Sequence, residues 1–342
     1  MRNTLFVIGL SVLVISCSSQ KPVKYNQVKP KPTGNNISAT TKPPAPPKPA
    51  VKHEGGYDFY RVNIADPTKN DNTISYGSIV SANPAGYHVV NTYFPAVAQN
   101  FRQKYIILHY TALDDDKSVT VLTQQSVSAH YLVNSYNDRE IYQLVDENKR
   151  AYHAGISSWR SDRMLNDTSI GIEIVNAGFT TDASGQRIFR GFDAEQIKKV
   201  AALVKDIANR YMIAPTNILG HSDIAPTRKQ DPGPKFPWKQ LYDEYQIGMW
   251  YDEAAKQNFL ETTVNNDPNF STNLTSPQFI YKYQVALQSF GYDIVTSGSM
   301  DEATKKTIEA FQYHFRPEKC DGMMDGETWA ILQSLNQKYP SK

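Results

Sequence analysis

Tyr105-Ile106-Ile107-Leu108-His109-Tyr110 is a short apolar run, rich in β-branched and aromatic residues, and predicts a buried strand. Ser169 to Val175 predicts a second strand: Ile170, Ile172 and Ile174 point to one face, and Gly171, Glu173 and Val175 to the other. Between them, Val127–Val133 and Glu140–Val145 predict two further strands around the turn-prone Asn134-Ser135-Tyr136-Asn137-Asp138. A long helix follows. Asp193 is its N-cap, Gln196 completes a capping box, and Ile197, Val200, Ala201, Val204, Ile207, Ala208 and Tyr211 form one face. Beyond Pro215, Asn217–Gly220 predicts a short strand that delivers His221. Strands interspersed with a long helix make this an α/β layer domain.

The pattern changes after Trp250. Three helical segments, 278–290, 301–315 and 326–338, follow without strands, and Met300-Asp301-Glu302-Ala303-Thr304 echoes Met324-Asp325-Gly326-Glu327-Thr328. The echo fits a repeated helical module, or simply two helix starts with acidic residues at the positive end of the dipole. The hydrophobic residues before and after this change form two separable sets, as in domains with their own cores.

The start of the chain differs from both regions. Arg2 precedes an apolar run, Leu5–Ile15, too short to span a bilayer as a stable helix, and the run ends in Val14-Ile15-Ser16-Cys17. Residues 18–52 carry eight prolines, seven lysines and no acidic residue, a composition that cannot bury a core. Without those lysines and Arg2, 28 basic residues face 34 acidic ones, so the rest of the chain is mildly acidic and has no nucleic-acid footprint. Residues 57–98, rich in Tyr, Asn and Gly, show no clear period. The two cysteines, Cys17 and Cys320, are too few for a cysteine-rich metal site, and Cys320 is left without a disulfide partner.

Of the histidines at 53, 88, 109, 130, 153, 221 and 314, two stand out. His109 ends a strand, where a side chain projects from a rigid scaffold. His221 follows another, and Asp231 comes ten residues later. Two imidazoles and a carboxylate suit zinc with one position open to water. The same residues could instead form hydrogen bonds within the fold. Glu173, opposite the isoleucines, could face a cleft or solvent, and Lys229 could serve a site or a loop salt bridge. His130, inside a strand, suits a supporting role.

Five stretches occur in order: His109-Tyr110-Thr111, Ser128-Ala129-His130-Tyr131-Leu132-Val133, Tyr152-His153-Ala154-Gly155, Ser169-Ile170-Gly171-Ile172-Glu173, and the long run from Gly220-His221-Ser222-Asp223 through Lys229-Gln230-Asp231-Pro232-Gly233-Pro234. Together they resemble the zinc-dependent N-acetylmuramoyl-L-alanine amidases related to phage amidase-type lysozymes and animal peptidoglycan recognition proteins, and among these the outer-membrane lipoprotein amidases. The resemblance implies a central mixed β-sheet flanked by helices. It implies one zinc ion held by His109, His221 and Asp231, with Glu173 and Lys229 catalytic. It places His153 and Trp159 along the substrate, although Trp159 fits core packing equally well. Gly291-Tyr292-Asp293, Ala310-Phe311-Gln312 and Asp321-Gly322-Met323-Met324-Asp325-Gly326-Glu327-Thr328 resemble the small three-helix peptidoglycan-binding domain.

The implied layout is a lipoprotein signal peptide over 1–16, a lipidated Cys17 and Pro/Lys-rich tether over 17–56, a catalytic domain over 57–255 and a helical wall-binding domain over 256–342. The implied reaction is hydrolysis of the bond between N-acetylmuramic acid and L-alanine, in turnover or recycling of peptidoglycan. The expected partners are muropeptides, peptidoglycan and, through Cys17, a bacterial membrane (the outer membrane, facing the wall), with the chain acting as a monomer. Two other readings share the motifs: a non-catalytic peptidoglycan-binding lipoprotein, which typically lacks a ligand, and a zinc peptidase of the stem peptide.

Overall fold

The computed structural model describes residue 82, residues 84–89 and residues 100–340. Cys17, the signal segment, the tether and most of 57–98 lie outside the described residues. Among the described residues, no helix is long and apolar enough to cross a membrane.

A five-stranded mixed sheet forms the centre. Its strands are β1 (Tyr105–Tyr110), β2 (Tyr131–Val133), β3 (Tyr142–Gln143), β6 (Ser169–Ile174) and β9 (Ile218–Gly220), in the order β3-β2-β6-β1-β9. Neighbours run parallel except β2 and β3. Two small antiparallel pairs stand apart: β4 (Ser158–Trp159) with β5 (Asp162–Arg163), and β7 (Phe179–Thr181) with β8 (Arg187–Phe189). The predicted strands at 127–133 and 140–145 shrink to β2 and β3, because Ser128 and His130 bond to Tyr152 and Gly171 rather than to a continuing ladder.

Helix α1 spans Asp115–Gln124, capped by Asp114, and α2 spans Ala194–Tyr211. Asp193 caps α2 as predicted, its side chain accepting from the Glu195 N–H. Gln196 does not complete a capping box. Its amide donates instead to the carbonyls of Val133, Asn134 and Val175 (3.4, 3.3 and 2.8 Å), where β2 and β6 end. Ile197, Val200, Val204 and Ile207 of α2 share one core with Ile106, Leu108, Ile170, Ile172 and Ile174 of the sheet.

A single turn, α3 (His221–Ile224), follows β9 directly, and then come α4 (Trp238–Tyr245), α5 (Glu253–Phe259), α6 (Phe270–Asn273), α7 (Pro277–Phe290), α8 (Glu302–Phe315) and α9 (Gly326–Lys338). The repeat seen in the sequence is structural. Asp301 and Asp325 each cap a helix by accepting from the N–H three residues on. Gln284 and Gln312 each donate to a threonine hydroxyl, Thr304 or Thr328, and accept from a glycine N–H, Gly298 or Gly322.

The expectation of two separable hydrophobic sets does not hold. Trp159, fully buried, meets the rings of Phe290 and Tyr292 edge-on, at 5.8 and 5.2 Å. One core runs from the sheet through Trp238, Leu241 and Trp250 into α7, α8 and α9. Helical segments with apolar residues on more than one face need partners on more than one side, and here the sheet domain supplies them.

Candidate metal centre

Strand register brings the chemistry together. His109 and Glu173 are register partners on parallel β1 and β6, so their side chains leave the same face. Leu108 pairs with Gly220, so β9 ends one residue before the position beside His109, and His221 follows there. The loop after α3 returns to place Asp231 against both histidines: His109 Nδ1 and His221 Nδ1 lie 2.9 Å apart, and Asp231 Oδ2 is 2.9 and 3.0 Å from them. All three residues are buried.

The hydrogen bonds around the rings decide which nitrogens carry protons. Ser169 Oγ donates to the Leu165 carbonyl, 2.5 Å away, and so accepts from His153 Nε2 at 3.1 Å. His153 Nδ1 is then a bare acceptor for His109 Nε2–H at 3.0 Å, which leaves the lone pair of His109 on Nδ1. His221 Nε2–H donates to the Ala154 carbonyl (3.1 Å), leaving its lone pair on Nδ1 as well. Two imidazole lone pairs and a carboxylate oxygen therefore converge at near-contact distance. Their mutual repulsion is relieved by a cation between them, and the N,N,O donor set suits zinc. Burial and the neighbouring His221 hold His109 neutral, with its pKa lowered to about 4. Burial lowers His153 likewise. Burial works against ionisation of Asp231, yet positive charge at the His221 and His109 positions holds its carboxyl well below the usual carboxylate range, and with both rings neutral a cation would supply that charge.

Glu173 Oε2 is shut off from solvent and has no hydrogen-bond partner among the described residues. Burial, reinforced by Asp231 and opposed by Lys229, raises its pKa to about 8. Lys229 is half-buried, its ammonium close enough to act on both Glu173 and His109. It makes no ion pair among the described residues, so the loop salt bridge considered for it is not there.

His153 is buried and does not line an open groove, and of the two readings open for Trp159 the packing one holds. His153 is packed behind His109, its ring lying over Gly171, where a Cβ would sit 2.3 Å from it. Trp159 is core, and its indole N–H donates to the Thr216 carbonyl. The segment turns inward after the exposed Tyr152 to bury His153 and Ala154, comes out at Gly155 and Ile156, and turns inward again at Ser157 to bury Trp159. His130 accepts from the Gly171 N–H and donates to the Lys149 carbonyl, which makes it a support of β6. The sequence reading missed four other contributors. Ser169 sets the proton order, Arg228 ties the Ala154 and Ile156 carbonyls together, and Tyr292 and His314 reach Asp223 from the helical region. Asp223 and Tyr292 stood inside motifs already noted. Nothing local marked their meeting.

Residues 99–234 match the N-acetylmuramoyl-L-alanine amidase family, and residues 276–332 match a peptidoglycan binding domain family. The chain is 42% identical to the N-acetylmuramoyl-L-alanine amidase AmiD of Escherichia coli over 243 residues, covering 70% of this chain and 84% of that protein. It is 41% identical to the 1,6-anhydro-N-acetylmuramyl-L-alanine amidase AmpD of the same organism over 115 residues, 34% of this chain and 56% of that one. The solved complex of E. coli AmiD with anhydro-N-acetylmuramic acid-L-Ala-D-gamma-Glu-L-Lys superposes with a TM-score of 0.67 at 40% identity, covering 76% of this chain and 98% of that one. Pseudomonas aeruginosa AmpDh3 bound to an anhydromuramic pentapeptide gives 0.65 at 40% identity, over 74% of this chain and 99% of that one.

Proposed function

The chain belongs to the N-acetylmuramoyl-L-alanine amidases, hydrolases of the amide bond between N-acetylmuramic acid and L-alanine, and from that premise we propose how its own residues perform the reaction. His109, His221 and Asp231 would hold one zinc ion, with the two Nδ1 atoms and the Asp231 carboxylate free to serve as donors. When bound, zinc acts as a Lewis acid and brings the pKa of a water down to about 7. Glu173 takes the proton of the attacking water and passes it to the departing amine of L-alanine. Its register beside His109 and its poor solvation suit it to hold a proton between the two steps. The Lys229 ammonium faces the negative charge that develops on the carbonyl oxygen. The convergence of two lone pairs and a carboxylate beside the buried, unpartnered Oε2 of Glu173 carries this reading.

Substrates of the class held in the AmiD and AmpDh3 complexes, anhydromuramyl peptides, are the compounds we assign to this site. The match over 276–332 supports wall binding by residues 256–342, alongside catalysis by 57–255. The Val14-Ile15-Ser16-Cys17 sequence and the Pro-rich stretch support lipidation at Cys17 and tethering of a monomer to the outer membrane, facing the wall. Mass spectrometry of products from a purified anhydromuramyl peptide tests the reaction. Free anhydro-N-acetylmuramic acid and intact stem peptide are expected. Shortened stem peptides would establish a peptidase, and unchanged substrate with zinc-loaded protein would establish a binding protein.

A further inference from the structure

We propose that the C-terminal helices help build the metal centre: Tyr292 and His314 are positioning residues that hold Asp223, and through it the turn carrying the ligand His221. The proposal rests on the assignment of His221 as a metal ligand.

Asp223 is two residues beyond His221, within the single helical turn α3, and is 1% exposed. A carboxylate so deeply buried needs donors on both oxygens. It has three. Oδ2 accepts from the Gly220 N–H at 2.8 Å, which closes the turn at the residue before the ligand. The same oxygen accepts from His314 Nδ1 at 2.8 Å, and Oδ1 accepts from the Tyr292 hydroxyl at 2.7 Å. One donor belongs to the turn itself and two come from the helical region: Tyr292 just after α7, and His314 near the end of α8.

Both outside donors are rigidly held. Tyr292 is buried against Trp159, and the His314 ring stacks on Trp238 at 3.9 Å and 16°. Neither can follow Asp223 if the turn moves. The turn is also tied to the third ligand, because the Ser222 N–H donates to the Asp231 carbonyl at 2.8 Å. Displacing Asp223 therefore disturbs His221 and Asp231 together, and two of three ligands would leave the 3 Å triangle.

General interface loosening would act differently. Arg187 and Glu309 form another contact between the sheet domain and α8, an ion pair of 2.6 Å that takes no part in holding Asp223. Loss of that pair should lower stability and leave the native metal site alone.

The test is zinc affinity, measured by competition with a chromogenic chelator on the 342-residue chain, with circular dichroism as a check of folding. Wild type should bind one zinc, and His221→Ala should lose it; a wild type that binds none refutes the ligand assignment itself. Tyr292→Phe, which removes one oxygen from a packed ring, and His314→Phe, which keeps a flat ring beside Trp238, should each weaken zinc binding about tenfold or more. His314→Asn, which restores an N–H donor, should recover part of that loss. Glu309→Gln should melt earlier with unchanged zinc affinity. Zinc affinity within twofold of wild type in folded Tyr292→Phe overturns the proposal, whatever becomes of the His314 variants. An equal loss in Glu309→Gln overturns it too, since any weakening of the interface would then suffice.

Discussion

Single atoms divide the labour at the centre. His109 and His221 offer Nδ1 because their Nε2 protons are spoken for by His153 and the Ala154 carbonyl. Glu173 Oε2 has no hydrogen-bond partner among the described residues, so removing the carboxylate should not disturb the ligands. Glu173→Gln is expected to keep a full zinc content and lose at least about 100-fold in kcat, the usual scale of a lost general base. Lys229→Ala should also keep zinc and lower kcat more than it raises KM, because its charge acts on the transition state. Metal analysis with steady-state kinetics checks both, and near-wild-type kcat in either removes that residue's role. Gly171 makes a separate prediction. A methyl there would lie 2.3 Å from the His153 ring, so Gly171→Ala must push that ring off β6 and away from His109. Weaker zinc binding and a lower unfolding midpoint are expected together, and an unchanged midpoint would show that the ring has room to move.

Elements are locked at their ends. α2 begins at an exposed cap, Asp193, but its decisive polar contact is Gln196, whose amide serves three carbonyls at the ends of β2 and β6. The cap stays accessible to water, whereas those carbonyls are inside. Asp193→Ala should therefore cost about 1 kcal/mol. Gln196→Leu should cost more, on the order of 2–3 kcal/mol, because buried acceptors lose their donor. Denaturant unfolding of the two variants compares them, and a larger loss from the cap would show that water reaches the carbonyls. Gln196 stands three residues after an N-cap, where a capping box is expected. The spacing is local and identical in both cases; the strand ends that claim its amide lie some sixty residues earlier in the chain or more than twenty, and local spacing does not encode them.

For the whole molecule, the continuous core decides how separable the parts are. Trp159 of the sheet domain is covered by Phe290 and Tyr292, and Trp250 meets Phe315. A chain ending at residue 255 would bare these rings and leave Asp223 with only its Gly220 contact. It is expected to aggregate or to fold loosely, with low zinc content and little activity even on a soluble anhydromuramyl peptide. Circular dichroism, zinc content and product analysis measure this. A folded, zinc-loaded and active truncate would show instead that the helices serve wall binding alone.

The family resemblance implied which residues meet at the centre, while local pattern in the sequence was enough for the α/β class, the strands at 105–110 and 169–174, the long helix and the repeated helical caps. Those features rest on local periodicity and on residue types at strand ends, where a run of a few residues sets direction and face. Packing of distant elements decided that His153 stands behind His109, that Trp159 belongs to the core, that Gln196 bridges strands and that Asp223 is held from the helical region. Each of these is a buried group satisfied by residues far away in the chain. Burial demands a partner for every such group, but which partner arrives depends on how the sheet and helices pack.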